Sequence, residues 1–232
     1  MPTGPPAMEQ LSPQLMNRLV FAVIMHGLNE AQTNLALNVL NDALDHENGH
    51  IRELAVVALA DLCVPALKRV PPLARALCDE NPRVRRRAAR ALGDQGPTAV
   101  VALPQLIRGL NDSDPSVRRD CAGAIGRLGG AGHPAAPHLL PLLTDPEYRS
   151  RAVASVAFKR IGRAGLPHLL DGVNSSDPQL RGRCATLLGL IAPDDERVVN
   201  TLRVVQTDDD TEVRARADEA LHMVRTPAPS AA

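Results

Sequence analysis

The sequence predicts an all-α protein, an α-solenoid of about six stacked helix pairs preceded by a capping helix. Three observations predict it. An apolar residue followed by arginine recurs at Ile51-Arg52, Val84-Arg85, Val117-Arg118, Tyr148-Arg149, Leu180-Arg181 and Val213-Arg214. This period of about 33 residues marks stacked helical units, none of which can bury its apolar face alone. Only Phe21, Tyr148 and Phe158 among the 232 residues are aromatic, so the core must be built from small and aliphatic side chains. No segment alternates apolar and polar residues in the manner of a competing strand.

Taken from the N-terminus, residues 1–11 read as a flexible tail. Ser12-Pro13 then opens an apolar segment, 12–28, that is expected to cap the stack, because a terminal unit has one face without a neighbour. Asn29-Glu30 opens the next helix and the repeats run from 29 to 225, leaving 226–232 as a second flexible tail.

Within the repeats, the residue four before each arginine is Asn48, Asn81, Asp114, Asp145, Asp177 or Asp210, side chains that accept hydrogen bonds from free amides at a helix start. Proline follows in four cases, Pro82, Pro115, Pro146 and Pro178, at the first helical position, where the missing N–H costs nothing. Four residues after each apolar anchor stands Ala55, Ala88, Cys121, Ala152, Cys184 or Ala217, and eight after it Leu59, Leu92, Ile125, Val156, Leu188 or Leu221. That spacing is one helical face, with small residues permitting close approach and aliphatic ones filling the layer. Ahead of these second helices run PPLARAL (71–77), LPQLIRGL (103–110), APHLLPLL (136–143), LPHLLDGV (166–173) and VVNTLRVV (198–205), the first helices of the pairs, several opened by proline. Gly93, Gly96, Gly129, Gly130, Gly162 and Gly165 mark the links.

Composition narrows the function classes. With 44% hydrophobic and 22% charged residues the chain can bury a core and is not disordered overall. No apolar run approaches the ~18 residues of a membrane span, and MPTGPPAMEQ lacks the charged and apolar regions of a secretory leader, so a cytoplasmic protein with no membrane partner is expected. Cys63, Cys78, Cys121 and Cys184 form no CxxC pair and are expected to be free core thiols.

Catalytic and metal motifs fail on context. His46-Glu47-Asn48-Gly49-His50 matches HExxH, which binds zinc only when one continuous helix carries both imidazoles. Here HENGHIR aligns with DENPRVR (79–85), so the match falls across an interhelical turn capped by Asn48. Gly126, Gly129, Gly130 and Gly132 follow no strand and precede no Lys-Ser/Thr, and read as a turn between repeats. His138 and His168 hold equivalent PHLL positions on two first helices. No metal, cofactor or catalytic residue is expected.

The consensus D-P-x-V-R-x-x-A-A-x-A-L-G, seen closely in NPRVRRRAARALG (81–93) and DPSVRRDCAGAIG (114–126), resembles the short HEAT repeat of the PBS-lyase type over residues 29–225. The resemblance implies a right-handed α-α superhelix that binds through an inner face lined by the second helices, with chemistry optional. Relatives of this kind include bilin lyase subunits, deoxyhypusine hydroxylases and scaffold-like bacterial proteins, and related DNA glycosylases bind duplex DNA. A hydroxylase-like di-iron site needs His-Glu dyads on successive repeats, and this chain has one, His46-Glu47.

Arginine carries the remaining signal. There are 24 arginines and two lysines, Lys68 and Lys159, and although basic and acidic residues balance overall, residues 82–191 carry a net charge of +8 between acidic ends. The arginine after each anchor sits about 100° from it on the helix, beside the core, so Arg85, Arg118, Arg149, Arg181 and Arg214 read as a structural Asp–Arg ladder. Positions two, three and six after the anchor supply the candidate partner-binding residues Arg86, Arg87, Arg90, Arg119, Arg151 and Arg183, with Arg216 flanking and Asp120 interrupting the series.

The function read from these residues is a non-enzymatic interaction or assembly scaffold that holds an acidic protein or peptide segment in an arginine-lined groove, monomeric apart from that partner. A duplex nucleic-acid backbone is the second reading, with stacking platforms for single strands absent. A lyase-like accessory subunit resembling bilin lyase components is the third.

Overall fold

The computed structural model describes residues 29–225; the expected capping helix 12–28 and the tails 1–11 and 226–232 lie outside the described residues. All regular structure among them is helical. By internal contacts the chain forms two compact units, meeting in sequence between Ala124 and Ile125.

In the first unit, α1 (Glu30–Ala43) pairs with α2 (Gly49–Asp61) and α3 (Ala66–Ala76) with α4 (Pro82–Asp94); a 3₁₀ turn, Gly96–Ala102, leads into α5 (Leu103–Gly109) and then α6 (Pro115–Arg127), inside which the unit ends. In the second unit α7 (Ala136–Leu139), lying between 3₁₀ turns Gly129–Ala135 and Pro141–Thr144, precedes α8 (Tyr148–Ile161). A 3₁₀ turn at Gly162–Gly165, α9 (Leu166–Gly172), α10 (Pro178–Ile191), α11 (Glu196–Val205) and α12 (Thr211–Arg225) complete it. The fold class is therefore the predicted one: six helix pairs of the α-solenoid type occupy the described residues.

The second helices begin as their sequences require. Carboxamide or carboxylate oxygens of Asn48, Asn81, Asp114, Asp177 and Asp210 accept the amide two residues on at 2.7–3.0 Å. Two residues before each cap, a further side chain accepts the cap's own amide: His46 Nδ1, Asp79, Asp112, Ser175 Oγ and Asp208, at 2.8–3.2 Å. Each of these helix starts is thus fastened twice, satisfying amides that have no intrahelical partner.

The fourth pair corrects the sequence register by two residues. Asp145 does not cap α8; Glu147 does, and Asp145 occupies the preceding position, accepting the Glu147 amide at 2.8 Å. Ser150 replaces the apolar anchor, buried with its hydroxyl donating to Glu147 Oε2 at 2.8 Å. The ladder arginine is consequently Arg151, one full repeat after Arg118, while Arg149 is exposed. Buried Ala154 and Phe158 take the core places expected for Ala152 and Val156, and Val156 is 43% exposed. The Asp145-Pro146 dipeptide imitates the start signal, but only the later phase turns Phe158 inward.

Some first helices depart from expectation too. Pro71 and Pro72 lie inside α3, which opens at Ala66, so they remove two interior amide donors instead of opening the helix. APHLLPLL breaks at Pro141 into a short helix and a 3₁₀ turn. Gly96, Gly129 and Gly162, equivalent positions of successive repeats, have φ of 56°, 59° and 69°, the left-handed backbone that a link after a helix needs. Gly93 belongs to α4 instead. Small residues permit the expected close approach: a Cβ on Gly126 would stand 2.9 Å from Ala157 Cα, and one on Gly172 2.5 Å from Cys184 Sγ. Cys121 and Cys184 are buried as expected, with burial pushing both thiols up to about 12, whereas Cys63 and Cys78 are exposed.

Candidate functional site

Six arginines share one local geometry. Nη1 of Arg52, Arg85, Arg118, Arg151, Arg181 and Arg214 donates to the carbonyls six and five residues earlier, at 2.7–3.4 Å, closing the turn that precedes each second helix. In Arg52, Arg85 and Arg181 the opposite edge, Nε and Nη2, grips an aspartate of the following pair. These rungs are Arg52–Asp79, Arg85–Asp112 and Arg181–Asp208, with Nε–oxygen distances of 2.6–2.7 Å. The paired side chains are largely shielded, and such bidentate contacts fix geometry as well as charge. The hydrogen bond that each guanidinium donates to Asp79, Asp112 or Asp208 raises it above its ordinary value. Arg181's hydrogen bond in turn holds the Asp208 carboxyl below the usual range.

This arrangement sorts the predicted arginines. Arg85 and Arg181 belong to the ladder as expected; Arg149 does not, and Arg151, expected on the partner face, takes its place at the turn. Arg86 and Arg90 converge on Asp120, at 3.4 and 2.9 Å, so Asp120 is their shared counter-ion and not a gap in the series. Arg119 lies 3.9 Å from the same carboxylate, and Arg87 donates to Glu53 at 3.0 Å. Each of these acids lies one repeat away from Arg86 or Arg87 in sequence, a relation visible only when equivalent helix faces are compared between units.

Arginines line a pocket in each unit. In the first unit, Arg83, Arg86, Arg87 and Arg90 of α4 line a pocket with Glu53. Arg83, which the sequence reading passed over, is exposed and makes no side-chain ion pair among the described residues. In the second unit, Arg151, Arg183 and Arg216 line a pocket of about 580 Å³ with Pro178, Gln179, Asp210 and Glu212. Arg216 pairs with Glu212 at 3.0 Å, but neither Arg151 nor Arg183 has an ion pair among the described residues. Both Nε atoms are buried without an acceptor. Burial, followed by the nearby Arg216 and Arg151 charges, lowers the Arg183 guanidinium from its ordinary value.

The motifs weighed as chemical sites take structural roles. His46 and His50 fall on either side of the α2 cap, and no group of three His, Cys, Asp or Glu residues that could hold a metal occurs among the described residues. None of the described helices is long and apolar enough to cross a membrane.

A sequence profile of HEAT repeats matches residues 37–103 and 70–158. No curated protein matches the chain. Among solved structures, importin beta is similar over 94% of this chain and 32% of its own length, at 16% identity and a TM-score of 0.64. An engineered protein is similar over 91% of this chain and 68% of its own, at 18% identity and a TM-score of 0.56. A second engineered protein covers 82% of this chain and 96% of its own, at 21% identity and a TM-score of 0.53.

Proposed function

The chain belongs to the HEAT-repeat family, and from that premise we propose that it is a non-enzymatic interaction or assembly scaffold whose arginine-lined pockets hold an acidic segment of a partner protein. The observation that carries this reading is the charge imbalance of the two pockets. In the first unit, four pocket arginines face Glu53 and the neighbouring Asp120; in the second, three face two acids. Cations held by rigid helices attract carboxylates without paying much ordering entropy at the moment of contact. Arg86, Arg87, Arg90, Arg119, Arg151 and Arg183 are the proposed contact residues, joined by Arg83 and Arg216. The cytoplasm is the proposed compartment, and the short PBS-lyase type remains the proposed subtype.

The test measures fluorescence anisotropy of a labelled Glu-Gly repeat peptide against its Gln-Gly counterpart and against a DNA duplex. Preferential, salt-sensitive binding of the Glu-Gly peptide, weakened by combining Arg83→Gln with Arg87→Gln, is the expected result. Binding of the duplex alone overturns the protein-partner reading in favour of phosphate contacts.

A further inference from the structure

Within the second unit one turn lacks the acid that the ladder uses. In the aligned turns, the side chain six residues before the arginine is His46 in the first pair, Asp79, Asp112, Asp145 and Asp208 in four others, and Ser175 before Arg181. Asp79, Asp112 and Asp208 each offer two oxygens to the arginine of the preceding pair while accepting an amide of their own turn. Ser175 keeps only the second task, its Oγ accepting the Asp177 amide at 3.2 Å. The chain shortens here as well, because the step from Arg151 to Arg181 is three positions shorter than every other step of the aligned arginine series.

The arginine deprived of its rung is Arg151. Its Nη1 still holds the carbonyls of Asp145 and Pro146, and its guanidinium lies 5.6 Å from the Tyr148 ring centre. Its Nε, gripped by carboxylate in Arg52, Arg85 and Arg181, is buried with no acceptor. Beside it stands Arg183, without an ion pair among the described residues and with a buried, unpartnered Nε, although the Asp177 charge acts on it. Arg216 closes the group, its stem packed where a Cβ on Gly182 would come within 2.7 Å of Arg216 Cδ. Asp210 is engaged in capping α12 through the amides of Glu212 and Val213, and Glu212 is engaged by Arg216. The pocket lining therefore carries three guanidiniums and two carboxylates, both of the latter engaged, and leaves Arg151 and Arg183 with unpartnered Nε atoms.

We propose that the Arg151–Arg183–Arg216 pocket is a specific carboxylate site, in which a glutamate or aspartate side chain of the partner supplies the acid that Ser175 lacks. The inference rests on the acidic-segment reading given above and locates its anchoring contact in the second unit. One carboxylate gives the two unpartnered Nε donors an acceptor, and its two oxygens suit the planar fork of a guanidinium. A partly shielded guanidinium without a counter-ion is costly, and binding relieves that cost.

The same Glu-Gly peptide tests the site in four variants of the full chain. Ser175→Asp restores the internal acid, and Arg183→Gln removes one unpaired cation. Arg197→Gln, an exposed residue paired with Asp195 outside the pocket, serves as the control. Arg83→Gln with Arg87→Gln reports on the first unit. The expected result is a loss of affinity of about ten- to a hundredfold in both Ser175→Asp and Arg183→Gln, as for a lost charge-assisted contact, with Arg197→Gln unchanged and the melting temperature of Ser175→Asp raised. Full binding by Ser175→Asp and Arg183→Gln, with loss in the first-unit variant, overturns this site while leaving the acidic-partner reading intact. No binding of the peptide by the unsubstituted protein overturns both.

Discussion

At the residue scale, one side chain does two jobs. Arg85 clamps the carbonyls of its own turn with one edge of the guanidinium and holds Asp112 of the next pair with the other, both side chains being largely shielded from solvent. Arg85→Ala leaves a shielded carboxylate unpaired and is expected to lower stability by about 3 kcal/mol in chemical denaturation. Exposed Arg149 holds no such position, and Arg149→Ala should change stability by less than about 0.5 kcal/mol. The Arg181–Asp208 rung adds a pH dependence. Because the Asp208 carboxyl titrates below its ordinary range when folded, its contribution is complete above about pH 5 and lost as pH falls through the folded value. Asp208→Asn is therefore expected to flatten the acid limb of a melting-temperature profile between about pH 5 and 2.

At the scale of the element, α8 shows how far a repeat can be read from its letters. The period, the caps and the small residues at close approaches were all legible, because each is a local requirement repeated in every unit. The phase of α8 was not, since the cap position and the position two residues before it both accept an amide two residues further on. Asp145 therefore meets the local chemistry of a cap without being one. What decides between the phases is non-local: only one of them buries Phe158 and leaves Val156 at the surface. Phe158→Ala should cost about 3–5 kcal/mol by leaving a cavity, whereas Val156→Ala should be nearly neutral. Equal effects in urea denaturation would contradict the observed phase. The counter-ions of the candidate site were hidden for a related reason, because Arg86–Asp120 and Arg87–Glu53 each join one second helix to the next across a whole repeat of sequence.

Across the whole molecule, the family and architecture followed from periodicity, while the chemistry of the surface depended on which charges the fold had already neutralised. Of the six arginines proposed from sequence to meet a partner, Arg86, Arg87, Arg90 and Arg119 contact acids of the chain itself, and Arg151 and Arg183 do not pair with an acid among the described residues. Net charge by segment cannot make that distinction. Thiol accessibility offers a global check on the fold: Cys63 and Cys78 should react promptly with an aromatic disulfide reagent at neutral pH, and Cys121 and Cys184 only after denaturation. Prompt reaction of all four would contradict the packing of α6 and α10.

The intact rungs also bear on how such a chain can change its length. Each joins an arginine to an aspartate in the turn of the following pair, and the arginines themselves recur once per repeat. Any segment one repeat long, cut from that series, carries one socket and one plug. Duplicating it in frame inserts a pair that accepts the upstream arginine and offers its own to the downstream aspartate, with no compensating substitution. Excision closes the gap by the same rule. The ladder thus makes copy number a heritable variable that drift can explore without passing through an unpaired intermediate, and the shortened step at Ser175 is a place where that freedom is lost.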